Sequence, residues 1–246
     1  MKKFFKFIGI LLLLLIVALG VYYFANNEAL PEEKKGKEAD ALANKMFNAI
    51  NIDAFENTEI LEWNFRRQHF YKWYKKENIV EVSWDKNNVI LHTNQVEKSE
   101  VFVNDLKVEN NEILKNARDF FNNDSFWLIA PYKIFDTGTE RSIVNYNGKE
   151  ALLITYTSGG STPGDSYLWI LDENYVPTSF KMWTSIIPLG GVSASWSDLK
   201  NTESGIKLPT KHTLSLFGME LNLGDVKAYN PKIEEILKVE TVKGDN

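Results

Sequence analysis

Residues 142–157 read SIVNYNGKEALLITYT. Two runs rich in apolar residues flank Asn147-Gly148. A two-residue Asn-Gly link takes positive φ at both positions, which matches the right-handed twist of the strands it joins. No other short stretch signals a hairpin as strongly, and it sets the fold class as antiparallel β. The pattern continues downstream. Thr162-Pro163-Gly164-Asp165 fits a type II turn, with Pro fixing φ at the second position and Gly taking positive φ at the third. Strands are expected after it at 167–171, 176–184, 192–199, 206–216 and 219–228, with Phe217-Gly218 as a tight corner. Upstream, Leu61, Trp63 and Phe65 alternate with Glu62 and Asn64. Tyr71 and Trp73 flank Lys72, and Val80, Val82 and Trp84 alternate with Glu81 and Ser83. The Asp85–Asn88 cluster then turns the chain into a strand at 89–93. Period-two alternation bounded by turn residues marks half-buried strands.

Two stretches keep a helical period instead. Ala39, Leu42, Ala43, Met46, Phe47 and Ile50 predict an amphipathic helix. Ile113, Leu114, Ala117, Phe120 and Phe121 predict a second over 110–122, with Asn110 or Asn111 as its cap. Residues 231–238 read as a closing helical turn or two. Strands and helices do not alternate, which argues against a doubly wound parallel sheet. The expected architecture is mainly β with flanking α (α+β). It is one large curved antiparallel sheet, an incomplete β-barrel of ten or eleven strands, covered by two or three helices.

The N-terminus is of another kind. Residues 7–25, FIGILLLLLIVALGVYYFA, carry no charged side chain. Such a run is long enough to cross the roughly 30 Å hydrocarbon core of a bilayer as a helix. Lys2, Lys3 and Lys6 before it are nearly balanced by Lys34, Lys35 and Lys37 beyond it. The α-amino group with the immediate Lys-Lys start tips the expectation to a cytoplasmic N-terminus and an exported remainder, periplasmic or extracellular. The alternative is a secretory signal removed by cleavage. Signals have shorter apolar regions and a small-residue cleavage site, whereas Tyr22, Tyr23 and Phe24 stand where small residues belong. The expected organisation is a transmembrane anchor at 1–25, a polar linker at 26–37 and an exported domain at 38–246.

Composition narrows the functions. The 246 residues include no cysteine, so disulfides and thiolate metal sites are excluded. Residues 26–246 hold 25 basic and 33 acidic side chains, a net of −8, which argues against binding nucleic acid or an anionic lipid surface through bulk charge. His69, His92 and His212 stand alone without metal-ligand spacing. Ile134-Phe135-Asp136-Thr137-Gly138-Thr139 is similar to the active-site string of aspartic proteases, but only one copy occurs, and Asp-Thr-Gly also makes an ordinary turn. Ser158–Gly164 is glycine-rich but lacks the Lys and the helix of a phosphate loop, and Ser161 has no nucleophile-elbow context. No cofactor and no metal are expected. Seven Trp, ten Tyr and fifteen Phe supply either a dense core or the walls of an apolar pocket.

Three blocks carry a resemblance: residues 124–138, DSFWLIAPYKIFDTG; residues 162–167, TPGDSY, with Trp169 and Asp172; and residues 205–209, GIKLP, after a strand with Trp196 and Asp198. Together they resemble a family of exported bacterial proteins similar in fold to the lipoprotein carriers LolA and LolB. The resemblance implies an incomplete antiparallel β-barrel whose helices close an apolar cavity for acyl chains. It also implies a structural setting for Asp136. Those carriers are a soluble shuttle and a lipoprotein, whereas this chain starts with a helical tether. The expected function is therefore a membrane-tethered binding protein for a lipid, acyl chain or other hydrophobic ligand of the cell envelope. Candidate lining residues, chosen by alternation, are Leu61, Trp63, Phe65, Trp84, Trp169 and Trp183. One alternative is a solidly packed interaction module for another envelope protein. A minor alternative is a hydrolase dependent on Asp136.

Overall fold

The computed structural model describes residues 2–159 and 162–231. The helical turn expected over 231–238 lies, past Pro231, outside them. In chain order come α1 (Lys2–Asn26), β1 (Lys34–Lys35), α2 (Lys37–Ala49), α3 (Ile52–Asn57), β2 (Ile60–Phe65), β3 (His69–Tyr74), β4 (Ile79–Trp84), β5 (Asn87–His92), β6 (Glu100–Val103) and β7 (Leu106–Val108). Then follow α4 (Asn111–Ile129), β8 (Thr139–Tyr146), β9 (Lys149–Tyr156), β10 (Ser166–Leu171), β11 (Pro177–Trp183), β12 (Val192–Ser195), β13 (Ser197–Asn201), β14 (Lys207–Thr213), β15 (Glu220–Asn222) and β16 (Lys227–Tyr229).

The strands form three antiparallel sheets: β1-β8-β9-β10-β11-β12, β13-β14-β15 and β16-β2-β3-β4-β5-β6-β7. Two bent strands join them. The stretch 192–201 breaks at Trp196: its first half pairs with β11 (Phe180 opposite Ala194) and its second with β14 (Leu199 opposite Pro209). A bridge between Ala194 and Leu214, and the Ser215 amide donating to the Ser193 carbonyl (2.8 Å), carry the ladder past the break. The stretch 220–229 bends at Gly224, where φ is 71°. Its first half pairs with β14 and its second with β2, and the Asn64 and Arg66 amides donate to Leu223 and Asn222 (3.0 and 2.8 Å). The result is one curved, unclosed surface with β1 and β7 at its outer edges, mainly β with helices on its concave side.

The sixteen strands among the described residues exceed the expected ten or eleven for local reasons. Trp196 and Gly224 each split one expected strand. The β6–β7 hairpin turns on Asn104-Asp105, both at positive φ (49° and 62°), a turn without the glycine that makes such links conspicuous. The second helix also runs further than 122. Asn110 caps it by accepting from the Glu112 and Ile113 amides, both at 3.0 Å. The Asn122-Asn123-Asp124-Ser125 cluster does not end it, because buried Asp124 finds donors inside the domain.

Helix α4 lies in the concave hollow. Phe121, Ala117 and Leu128 pack with Leu61, Trp63, Val80, Val82 and Leu91 of the seven-stranded sheet. Helix α2 covers the six-stranded sheet, where Leu42, Ala43 and Met46 meet Leu152, Ile154 and Phe180. Strand β9 is closed on both faces, since Ala151 and Leu153 join Val144, Leu168 and Trp183 in an outer cluster. Each fully buried Leu, Ile or Phe contributes about 1.5–3 kcal/mol, so these layers suffice without disulfides.

Helix α1 stands apart. Phe4–Asn26 is 23 residues long with mean hydropathy 2.8, and none of its most apolar window is buried. It is long and apolar enough to cross a membrane. The segment after it is polar, as expected of a linker, but it is bound to the domain. The Glu28 amide donates to the Gly190 carbonyl (3.0 Å), the Gly190 amide to Asn27 Oδ1 (2.8 Å), and Trp183 Nε1 to the Glu28 carbonyl (2.8 Å). Glu28 also pairs with Lys181, and Lys34–Lys35 add an edge strand to β8.

Candidate functional site

An open cleft of about 900 Å³ lies between the C-terminal half of α4 and one end of the six-stranded sheet. Its apolar floor is Phe126, Trp127, Tyr156, Tyr167, Met182 and Ile187. Alternation puts Tyr156, Tyr167 and Met182 on one face of the sheet. Tyr167 of β10 lies opposite Met182 of β11 and Ile154 of β9 in the ladder, so all three point inward. Phe126 of α4 meets the Tyr167 ring at 4.3 Å, and Tyr156 meets it edge-on at 5.7 Å.

The mouth is held by one carboxylate. Buried Asp165 accepts from Thr162 Oγ1 (2.5 Å), from the Ser185 amide (2.9 Å) and, at 3.4 Å, from the Tyr167 hydroxyl. It thereby ties the turn at 162–165 to the loop at 184–191. Gly164, at φ 102°, takes the positive-φ position expected of that turn, and the Asp165 amide closes it on the Thr162 carbonyl (3.3 Å). On the opposite rim Lys115 pairs with Asp119 one helical turn on (2.5 Å), and Arg118, Asn122 and Asn123 stand beside them. A hollow of about 370 Å³ abuts the same loop, with Trp183 and Gly190 on its wall and Asp165, Thr184 and Ile187 shared with the cleft.

Burial, reinforced by the Asp165 carboxylate, pushes the Tyr167 hydroxyl far above its ordinary pKa, and burial does the same to Tyr156. Both rings therefore present neutral hydroxyls at physiological pH. Thr184 Oγ1, buried on the wall, has no hydrogen-bond partner among the described residues. The arrangement can close apolar surface against a chain-like molecule and offers a hydroxyl and a mixed-charge rim to a polar end.

The residues picked by alternation lie elsewhere. Leu61 and Trp63 are buried in the core, with Trp63 stacked on Tyr71 at 4.5 Å. Phe65 is half-buried between the two inner clusters. Trp84 meets Phe120 of α4 edge-on at 5.4 Å. Trp169 is buried against Phe180 and Trp196 (4.9 and 5.0 Å). Trp183 points to the outer face and borders only the small hollow. None of the six lines the main cleft: α4 fills the part of the concave face that the first strands supply, Trp169 is sealed by Phe180 and Trp196, and Trp183 is on the outer face. The residues missed, Phe126 and Trp127, belong to the extra turns of α4. Tyr167 shares its alternation with Trp169, so the sequence marks both as inward-facing without distinguishing cleft from core.

The remaining motif residues are structural in their surroundings. Asp136 pairs with Lys133 (2.6 Å), and its carbonyl accepts from the Thr139 amide and hydroxyl (3.1 and 2.8 Å). His69 Nδ1 donates to Asp124 Oδ2 (2.7 Å), which also accepts from Tyr71 (2.5 Å). Among the described residues no three His, Asp or Glu gather closely enough to hold a metal ion.

Fold and cleft together define an open, helix-filled antiparallel half-barrel with an apolar groove at its rim. The chain is similar to a DUF1329 family protein from Desulfovibrio piger, with TM-score 0.42 and 9% identity over 79% of this chain and 94% of that one. It is also similar to a proposed outer membrane lipoprotein-sorting protein domain from Vibrio parahaemolyticus, with TM-score 0.35 and 11% identity over 82% and 99%. No protein-family model and no curated protein matches the sequence.

Proposed function

We propose that this chain is a membrane-tethered binding protein for an amphiphile, a lipid or fatty acyl compound, whose apolar chain lies in the cleft. The cleft itself carries the reading. About 900 Å³ floored by Phe126, Trp127, Tyr156, Tyr167, Met182 and Ile187 is at the upper end of small-ligand pockets. Each methylene buried there contributes about 0.8 kcal/mol before ordering costs. The apolar α1 is the anchor, with the lysines before it cytoplasmic and residues 38–246 exported.

The test is saturable binding of a fluorescent fatty acid to the full chain, displaced by the unlabelled acid. Ile187 is half-buried at the edge of the second core cluster. Ile187→Glu puts a charge on the floor, and, with a melting curve to show that the variant is folded, it is expected to weaken binding at least tenfold. Equal affinity in wild type and Ile187→Glu would remove the ligand from the cleft. A C-terminal alkaline phosphatase fusion is expected to be active, and an inactive one would reverse the orientation.

A further inference from the structure

The end of α1 and the rim of the cleft are joined without slack. Asn27 and Glu28, the first residues past the helix, already bond to Gly190 and Trp183. A β-carbon on Gly190 would run into the Glu28 carbonyl oxygen, so the contact depends on glycine. A span ending at Asn26 thus puts the loop 184–191 at the bilayer surface. That loop exposes Ile186, 67% accessible, at the mouth of the cleft.

A second observation points to the same place. The β14–β15 hairpin turns through Phe217-Gly218, with φ 57° and 62° and the Met219 amide donating to the Leu216 carbonyl (3.2 Å). A bulky aromatic in the left-handed region carries about 1–3 kcal/mol of strain. Phe217 gains little burial in return, being 81% exposed, and its one ring partner among the described residues is Tyr22, stacked at 5.5 Å in the last turns of α1. Tyr22 and Tyr23 end the span as aromatic residues do at a membrane interface. Ile186 and Phe217 therefore project from two different loops beside the end of the same helix.

We propose that the loops 184–191 and 215–219 seat the domain on the bilayer that holds α1, with Ile186 and Phe217 in its interfacial layer, so that the cleft opens at the lipid surface. The proposal rests on α1 being inserted in a membrane. It gives the amphiphile a route from bilayer to cleft that does not cross water.

The absence of cysteine allows a direct test in the full chain. Leu12→Cys, Ile186→Cys, Phe217→Cys and Leu106→Cys each take one environment-sensitive fluorophore in proteoliposomes. Leu106 is 71% exposed at the β6–β7 hairpin and serves as the control. Lipids brominated near the glycerol end are expected to quench the labels at 186 and 217 at least twofold more than the label at 106. Deeply brominated lipids are expected to quench the label at 12. Quenching at 12, with 186 and 217 behaving like 106, would overturn the seat and leave the span standing. No quenching at 12 would remove the span, and the seat with it. A blue shift at 186 or 217 without lipid quenching would mean that a protein, such as a second copy, covers the site, and would also overturn the proposal.

Discussion

His212 of β14 ties the end of α4 to the sheet: its Nε2 lies 2.6 Å from the Trp127 carbonyl oxygen, and its Nδ1 lies 2.7 Å from that of Ser195. The ring is fully buried, with Trp196 and Trp127 at 4.9 and 5.4 Å. Burial pulls its pKa below the ordinary 6.5, and the two carbonyls oppose that with smaller effect. A histidine with a depressed folded pKa binds fewer protons folded than unfolded. Stability is therefore full above pH 6.5 and falls as the pH drops below it. Denaturant melts between pH 7.5 and 5 are expected to show this slope, reduced in His212→Phe. A neutral imidazole donates to only one of the two carbonyls, so that variant is also expected to lose about 1–3 kcal/mol at pH 7.5 for the one carbonyl left without its donor. A slope of opposite sign would show that the cation is the form the two carbonyls hold.

Asp124 is the polar centre of α4. It is buried, and its two oxygens accept from Tyr71, His69 and Asn123. Tyr71→Phe is expected to cost about 1.5–3 kcal/mol, the value of a hydrogen bond to a charged group. Asp124→Ala is expected to cost more, since three donors lose their acceptor. Urea titrations with tryptophan fluorescence check both, and a neutral Asp124→Ala would refute the role.

Asp165 holds the mouth of the cleft through Thr162 and Ser185. Asp165→Ala is expected to cost about 1–3 kcal/mol and to raise hydrogen exchange at the Ser185 amide at least tenfold. The fluorescent acid is then expected to leave faster. Unchanged exchange would mean that the two loops are held by other contacts.

Gly190→Ala strikes the Glu28 carbonyl and the Trp183 indole that donates to it, at the edge of the outer cluster and away from the two inner core layers. Residues 27–33 are expected to be released from the sheet, and a glutamyl protease to cut after Glu28, Glu32 or Glu33 at least fivefold faster than in wild type. The melting temperature of the domain is expected to move by only a few degrees. Equal cleavage rates would show that the strap does not depend on this approach.

The antiparallel class was readable because Asn147-Gly148, the turn at 162–165 and the alternation in β2 to β5 are local signals. The joining of three sheets was less visible, because it depends on bends at Trp196 and Gly224 and on bonds between strands far apart in sequence. The site failed to show for a related reason. Alternation identifies which face is apolar, but not what covers it. Trp63 and Phe126 are equally hydrophobic in the sequence, and only the length of α4 decides that one is sealed and the other lines a cleft. The Asn122–Ser125 cluster hid that length, since a buried carboxylate with tertiary donors overrides a local breaker signal.

Native mass spectrometry of the full chain, released from detergent after lipid extract is supplied, tests the central claim most directly. The account predicts one amphiphile retained per wild-type chain and its loss from Ile187→Glu. A bare mass for wild type at every lipid concentration would contradict it.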